Sequence, residues 1–575
     1  MIPALAILCA VGAAAPAPEW RLSLSPADKT LMLRLARAEL ASKPFEPGSV
    51  NLRFVTGLDL FVSLYGEGGR RLRAGSPSGS LEEQIRACTK ELRKHPDLPK
   101  LGDYRIKIDI VRSRIRLFHP SELVFWKSFS PGETGIKLPG DEPLCLLPSV
   151  TIEEQLATPE AVIERLLEGS RQGNRDLPLE LFRTISFIER YPGGAPLELY
   201  RAFPLVRRIT RKDLRAAYLA GAEWFLRNQR PDGSFNYLYY PLDDSYEDKE
   251  DSLARQTGVA YALYRIYRQT GKHAFYEAGE RSLAFLLRQK REKGGIAFLA
   301  TSRKGELGPT SLLILALVER RKATSSKQYD ALLGKLGRFA CFMMKQSGEF
   351  YTNYFFEEDG FEPAENPSDI PTGQAVLALV RLRGELGDKA WLPAAEKAAR
   401  FLITERPRKL LRAGLDDPIL ADAWLAQALR ELYTASPNYL YAEHAFTIGS
   451  RILESQLRGE CEPDFVGGFL TQPPSVCTSA SRAEGLVAIG KLAKQMGIPS
   501  ELYEDALLNA ARFLIANQFN RENAYFLPNP DRAIGAFRKD ATDLSVRIDY
   551  TRHAVVFLVE LEELLYGHPE ETAAR

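Results

Sequence analysis

From residue 225 onward an apolar residue stands four positions before a Gln or Glu six times: Phe225 before Gln229, Phe285 before Gln289, Phe342 before Gln346, Phe401 before Glu405, Ile452 before Gln456, and Leu514 before Gln518. The successive spacings are 60, 57, 59, 51 and 62 residues. A period of roughly 58 residues holds two helices of about 15 residues and two loops, which restricts this part of the chain to a repeated helical hairpin. The second helix of each unit follows a polar loop, over 251–267, 310–320, 372–386, 419–433, 482–496 and 549–565. Within these segments Leu379, Leu382 and Leu386, or Leu558, Leu561 and Leu565, recur at the spacing of one helical face. Helix pairs repeated in this way stack into an open superhelix or close on themselves.

Residues 26–168 carry a different signal. Leu31, Leu35 and Ala38 lie along one side of a helix opened by Ser25 or Asp28. Leu58, Leu60, Val62 and Leu64 alternate with Asp59, Phe61 and Ser63 as in a strand. Tyr104, Ile106, Ile108 and Ile110 likewise alternate with Arg105, Lys107, Asp109 and Val111, a period of two that a helix would scatter around its circumference. A stretch of Gly, Ser and Gln from about Glu168 to Asn174 follows, and the helical repeats begin after Arg211. The expected organisation is a signal peptide or disordered tail at 1–17, a small α+β domain at 26–168, a linker or transition at 169–210, and an all-α unit at 211–567. At 575 residues the chain is too long for one small binding module.

The order of segments from 28 to 168 resembles the AMMECR family. The likeness is carried by the helix TLMLRLARAEL, the strands DLFVSLYGEGGRRLRAG and YRIKIDIVRS, the turn PGETGIKL at Pro131 to Leu138, and the LLPSV of Leu146 to Val150. Where that family reads Leu-Arg-Gly-Cys-Ile-Gly, this chain has Leu72-Arg73-Ala74-Gly75, so the resemblance implies the fold without a thiol-dependent activity. The six helical units with long aromatic loops resemble the closed (α/α)6 toroid of the six-hairpin glycosidase-like superfamily. The segment AEWFLRNQRPDGSFNY, with Gln229, Gly233 and Phe235, also looks like the QW-type repeat of terpene cyclases and their toroid relatives. The fold expected for the whole chain is therefore multidomain, a small α+β domain followed by an all-α (α/α)6 toroid.

In a closed ring of hairpins the loops from outer to inner helices gather over one mouth, so polar residues there converge from distant parts of the chain. The first of these loops holds Tyr237 and Tyr239, followed by Asp251 and Arg255 four residues apart. The fifth unit offers Arg482 and Glu484, and the sixth Asp549, Arg552 and His553 at i, i+3 and i+4 on one helical face. Glycoside cleavage needs one carboxylic acid as proton donor and a second carboxylate as base or nucleophile. Glu484, Asp549, Asp251 and Asp422 could supply such a pair from different hairpins; Glu484 and Asp549 are the expected one, with His553 the third catalytic candidate. Tyr237, Tyr239, Asp251, Arg255, Arg482 and Arg552 are the expected substrate-binding residues. An epimerase or lyase would instead move its proton with Tyr237 or His553. A helix cap accounts equally for Asp251, Asp417 and Asp422.

Other classes fit less well. There is no P-loop, no dinucleotide glycine fingerprint in a βα context, no HExxH and no GxSxG, and Asp243-Asp244 and Asp416-Asp417 do not stand in the acidic strings of isoprenoid enzymes. Lys+Arg 76 against Asp+Glu 74 offers no general attraction for nucleic acid. The cysteines show no metal-ligand spacing, and Cys461 and Cys477 form either one loop disulfide or two thiols. The apolar run Ile2 to Val11, followed by small residues, reads as a signal peptide and is too short to span a bilayer. The expectation is an exported carbohydrate-active enzyme, a glycoside hydrolase or a sugar epimerase or lyase, with a glycan substrate, no cofactor, no metal and no integral membrane span. A non-catalytic glycan- or protein-binding module is the alternative, and an isoprenoid cyclase-like enzyme ranks below both.

Overall fold

The period-two segments pair as their alternation requires. The computed structural model describes residues 23–567 except 47, 49–50, 54–56, 118–128, 139–143, 169–178, 248–251, 364–369, 388–389 and 418. The expected signal peptide therefore lies outside the described residues, as does Asp251. The chain divides into two units, residues 1–204 and 205–575.

In the first unit the strands are β1 (Leu60–Tyr65), β2 (Arg71–Ser76), β3 (Arg105–Leu117), β4 (Gly135–Leu138), β5 (Leu144–Leu146), β6 (Leu179–Glu189), β7 (Pro196–Tyr200) and β8 (Phe203–Pro204). They form one antiparallel sheet in the order β2-β1-β3-β6-β4-β5, with β7 on β6 and β8 on β7. Leu60, Val62 and Leu64 stand opposite Ile110, Ile108 and Ile106. This face is covered by α1 (Pro26–Leu40), capped by Ser25, and α2 (Leu81–Arg93). A second core, around Val111, Ile136 and Leu181, takes in Val162 and Leu166 of α3 (Pro159–Glu168). The expected linker at 169–210 is corrected here. Strands β6 to β8 lie within it, and β6 pairs with both β3 and β4, because its own apolar residues complete the sheet. Cys88 is buried in α2, and burial pushes its thiol up to about 12.

The second unit has twelve long helices among the described residues. The outer ones are α4 (Arg211–Asn228), α6 (His273–Arg288), α8 (Asp330–Phe342), α10 (Trp391–Arg400), α12 (Tyr439–Glu454) and α14 (Glu501–Ala516). Alternating with them are the inner helices α5 (Leu253–Thr270), α7 (Leu307–Thr324), α9 (Ile370–Leu386), α11 (Ala423–Ala435), α13 (Val476–Gln495) and α15 (Ile548–Tyr566). Each inner helix packs on the next, α15 packs on α5, and the first outer helix α4 packs on α15, so the ring is closed. Across this closure Tyr218 Oη donates to Glu562 Oε2 at 2.8 Å and Gln518 Nε2 to the Ala217 carbonyl at 2.8 Å.

The Gln of the repeat ties one hairpin to the next. Gln229, Gln456 and Gln518 each stand within two residues of the end of an outer helix and donate to the carbonyls of Ala278, Ala506 and Ala217 on the neighbouring outer helix. A glycine follows at φ between 91° and 96°, Gly233, Gly348, Gly467 and Gly535, and a Cβ at any of them would lie 2.1 to 2.5 Å from a carbonyl oxygen of the next outer helix. Only glycine fits both that angle and that contact. In the third unit the register is two residues earlier than the sequence pattern, since Met344 pairs with Phe350 as Gln229 pairs with Phe235, and Phe342 is 42% exposed. Glu405 of the fourth unit ends a π-helical stretch, Phe401–Glu405.

The expectation of an all-α unit is corrected by two small sheets in the outer-to-inner loops. One joins β9 (Leu238–Tyr240), β10 (Ser245–Glu247) and β16 (Val546–Arg547). The other joins β11 (Lys290–Lys293), β12 (Ile296–Thr301), β13 (Lys304–Glu306), β14 (Tyr351–Phe355) and β15 (Gly360–Pro363). Loops of this length leave backbone groups that must find partners, and they find one another. Among the described residues no helix is long and apolar enough to cross a membrane.

Candidate active site

The N-terminal ends of the inner helices enclose a cavity of about 470 Å³. Its wall takes Gln374 from α9, Asp422 and Trp424 from the start of α11, Cys477, Ser481 and Arg482 from α13, and His553 from α15. Helix α13 begins at Val476, six residues before the start expected from sequence, because a run of small Ser, Thr and Ala residues that reads as loop is held in the helix by packing. Ser479 Oγ there accepts from the Phe469 amide at 3.1 Å, the position that Thr551 Oγ1 occupies towards the Phe537 amide.

His553 is the centre of the polar constellation. Its Nδ1 lies 2.7 Å from Glu484 Oε1 and 3.1 Å from Arg552 Nη1. Arg552 is held by space on the facing helix, since a Cβ at Gly258 of α5 would come within 2.8 Å of its Nε. Burial pushes the Glu484 carboxyl up to about 8, with the Arg552 charge pulling the other way. Burial, then Arg552, drives His553 well below the usual imidazole range. Arginine only donates, so Nδ1 is an acceptor to it, and a protonated Glu484 is the form that can also donate to that atom. The proton belongs to the Glu484–His553 pair, and Nε2 is the ring nitrogen left for the cavity.

Asp549 belongs to a neighbouring cluster. Arg547 holds it in a fork, Nε to Oδ1 at 2.6 Å and Nη2 to Oδ2 at 2.9 Å, and Arg255 Nε stands 3.1 Å from Oδ2. Burial works to raise this carboxyl, but the Arg547 bond and the charges of Arg547 and Arg255 hold it below the usual carboxylate range. The first-turn position on α15 also favours a negative charge. Cys477 Sγ is 3.5 Å from Asp549 Oδ2, and burial followed by that carboxylate pushes its thiol up. Cys461 and Cys477 are both free thiols.

Of the sequence candidates, Arg482 and His553 line the cavity, and Glu484 and Arg552 stand directly behind His553. Asp549, Arg255 and Tyr237 form the adjoining cluster, with the Arg255 guanidinium 5.4 Å over the buried Tyr237 ring. Tyr239 turns elsewhere: it is buried in the small sheet and donates to Asp244 Oδ1 at 2.8 Å. Asp422 is in the wall, but Oδ1 caps α11 through the Leu425 amide and Oδ2 accepts from Arg406.

The sequence reading missed Trp424, whose ring lies 6.4 Å from that of His553, together with Gln374. A tryptophan two positions after a capping Asp at the start of an inner helix is the signal that would have found it.

No protein-family model and no curated protein matches the chain. Among solved structures it is similar to a D-mannose isomerase (TM-score 0.47, 14% identity, 62% of this chain and 98% of that one). It is also similar to an alpha-1,6-mannanase from Salegentibacter sp. (0.43, 14%, 62% and 99%) and a cellobiose 2-epimerase from Bacillus thermoamylovorans (0.47, 9%, 61% and 98%). The ring of six hairpins is established independently by the helix packing described above.

Proposed function

We propose that the second unit is a carbohydrate-active enzyme that moves a proton between its substrate and the Glu484–His553 pair. The observation that carries this reading is the 2.7 Å bond that fixes Nδ1 of His553 while the ring stands in the cavity wall. In its protonated form the pair presents Nε2–H, a donor. Loss of that proton moves the remaining one from Glu484 to Nδ1, which then donates to the Glu484 carboxylate and no longer accepts from Arg552, and leaves a lone pair on Nε2, a base. Nε2 would then take the proton from the carbon beside the carbonyl of an open-chain sugar, the C–H electron pair passing into an enediolate. Returning a proton to either face or to the neighbouring carbon gives an epimer or an isomer. Arg482 is the cation available to the enediolate oxygen, and the Trp424 ring offers a face to the sugar's C–H groups.

Hydrolysis by Glu484 as donor and Asp549 as base is the second reading, supported by the raised Glu484 carboxyl. It is weaker because Asp549 is engaged by two arginines and, among the described residues, Asp422 is the one carboxylate in the cavity wall. Incubating the protein in D2O with a panel of reducing sugars separates the two. Deuterium at C2, lost in His553→Gln, supports proton transfer at carbon; release of shorter sugars without such labelling would replace it with hydrolysis.

The first unit is proposed as AMMECR-like in fold, now extended to residue 204 to include β6 to β8. Export rests on the apolar run at 2–11 and is tested by fusing the first 25 residues to a reporter active only outside the cytoplasm.

A further inference from the structure

The opposite end of the ring holds a second cavity, of about 560 Å³, walled by the C-terminal halves of the same six inner helices. Among the described residues six cations reach it, Arg265, Arg268, Lys322, Arg381, Arg430 and Lys491, against four glutamates, an excess of two positive charges. Cations are favoured near helix C-termini, but the effect fades beyond the last turn. Arg268 and Lys322 lie in that turn; Arg265, Arg381, Arg430 and Lys491 lie four or five residues before their helix ends.

Ion pairing inside the cavity is incomplete. Arg268 meets Glu319 at 2.9 Å, and Arg381 meets Glu431 at 2.8 Å. Arg265 and Lys491 share Glu563, Lys491 at 3.5 Å. Among the described residues Arg430 has no ion pair, and its buried Nε has no acceptor. Arg265 is 4% exposed, and its Nη1 also has no acceptor. Both atoms are buried within the wall, where an unsatisfied charged donor is costly, so they add to the positive potential of a cavity whose glutamates do not balance its cations.

We infer that this second cavity binds a small molecule bearing a dianionic phosphoryl group. A phosphate monoester carries close to two negative charges near pH 7, matching the excess on the wall, and guanidinium forks bind its oxygens in pairs. Burial lowers the Lys491 ammonium, and an anion beside it would oppose that effect. A cavity of about 560 Å³ falls within the range of small-molecule sites, roughly 300–1,000 Å³, and exceeds what a phosphate ion alone fills. The ligand therefore has an organic part, for which a sugar phosphate is the test compound. The inference does not depend on the chemistry proposed at the other end.

The test is calorimetric titration of the full chain, in a chloride buffer, with glucose 6-phosphate, inorganic phosphate and glucose. Saturable 1:1 binding of the ester is expected, at least tenfold tighter than inorganic phosphate. Arg430→Gln and Lys491→Gln should each weaken it at least tenfold, while His553→Gln leaves it unchanged. Glucose should give no heat that is sensitive to Arg430→Gln. Two different variants guard against one failing to fold, which circular dichroism would reveal. Absence of saturable binding, or binding indifferent to both variants, overturns the inference. So does Arg430→Gln raising Tm with anion binding unaltered, which marks the excess charge as an unliganded strain. Inorganic phosphate binding as tightly as the ester would overturn the organic part.

Discussion

The two ends of the ring are made by the same six helices and differ in nearly everything else. Inner helices lead to outer ones through two to five residues, whereas the return from outer to inner takes at least ten. At the end with long loops, the starts of the inner helices and the residues just before them build the wall, and a few polar side chains stand beside apolar ones. The other end has almost no loop to close it, and long Arg, Lys and Glu side chains fill the space. One end thus sets a single Glu–His pair beside Arg552 and the Asp549 cluster, and the other carries six cations and four glutamates among the described residues. The lesson is that the two ends of such a ring differ both in loop length and in the side chains that opposite halves of the same helices carry.

The most damaging change to this contrast should be His553→Gln. It should lower turnover of any sugar found by deuterium exchange about a thousandfold, while Tm moves little. Asp549→Asn tests whether the neighbouring carboxylate is structural. Breaking its pairing with Arg547 and Arg255 should cost about 3 kcal/mol in denaturant unfolding; unchanged stability with abolished turnover would return Asp549 to the chemistry.

Glu484→Gln sharpens the comparison through pH. The base form of the wild-type pair should emerge as pH rises through about 8, so kcat/KM climbs there, and the variant should lose that rise. Stability carries the same signature. A carboxyl raised from 4.5 to about 8 on folding contributes most below pH 4.5 and loses that contribution as pH climbs through 8. The Tm of the wild type should therefore fall relative to Glu484→Gln between pH 5 and 9. The smallest effect is expected for Trp424→Phe, a rise in KM of about three- to tenfold from lost ring contact with kcat nearly intact.

Sequence periodicity carried most of the fold. Gln229, Gln456 and Gln518 were legible because the bond each makes to the next hairpin demands the same residue at the same place. In the third unit Met344 fills that position without the amide, and the nearby Gln346 drew the register two residues late. Strand β6 has its own apolar residues, but the polar run before it masked them as linker. At the site, Glu484, Arg552 and His553 were legible from spacing, whereas Asp549 and Tyr239 meet local partners that no spacing reveals. The charged end was invisible for a different reason: its ten ionisable side chains are spread over six helices, each of which reads alone as ordinary amphipathic sequence.

Closure through Tyr218, Gln518 and α15 also governs how the ring comes apart. In an open stack of hairpins the end repeats have one neighbour each and fray before the middle. Here the first and last hairpins are neighbours, so removing any one exposes two interfaces instead of one, and no hairpin is a natural starting point for melting. The unit should unfold in one sharp transition, and hydrogen exchange should be as slow in α4 and α15, at the two ends of the repeat sequence, as in α9 at its middle.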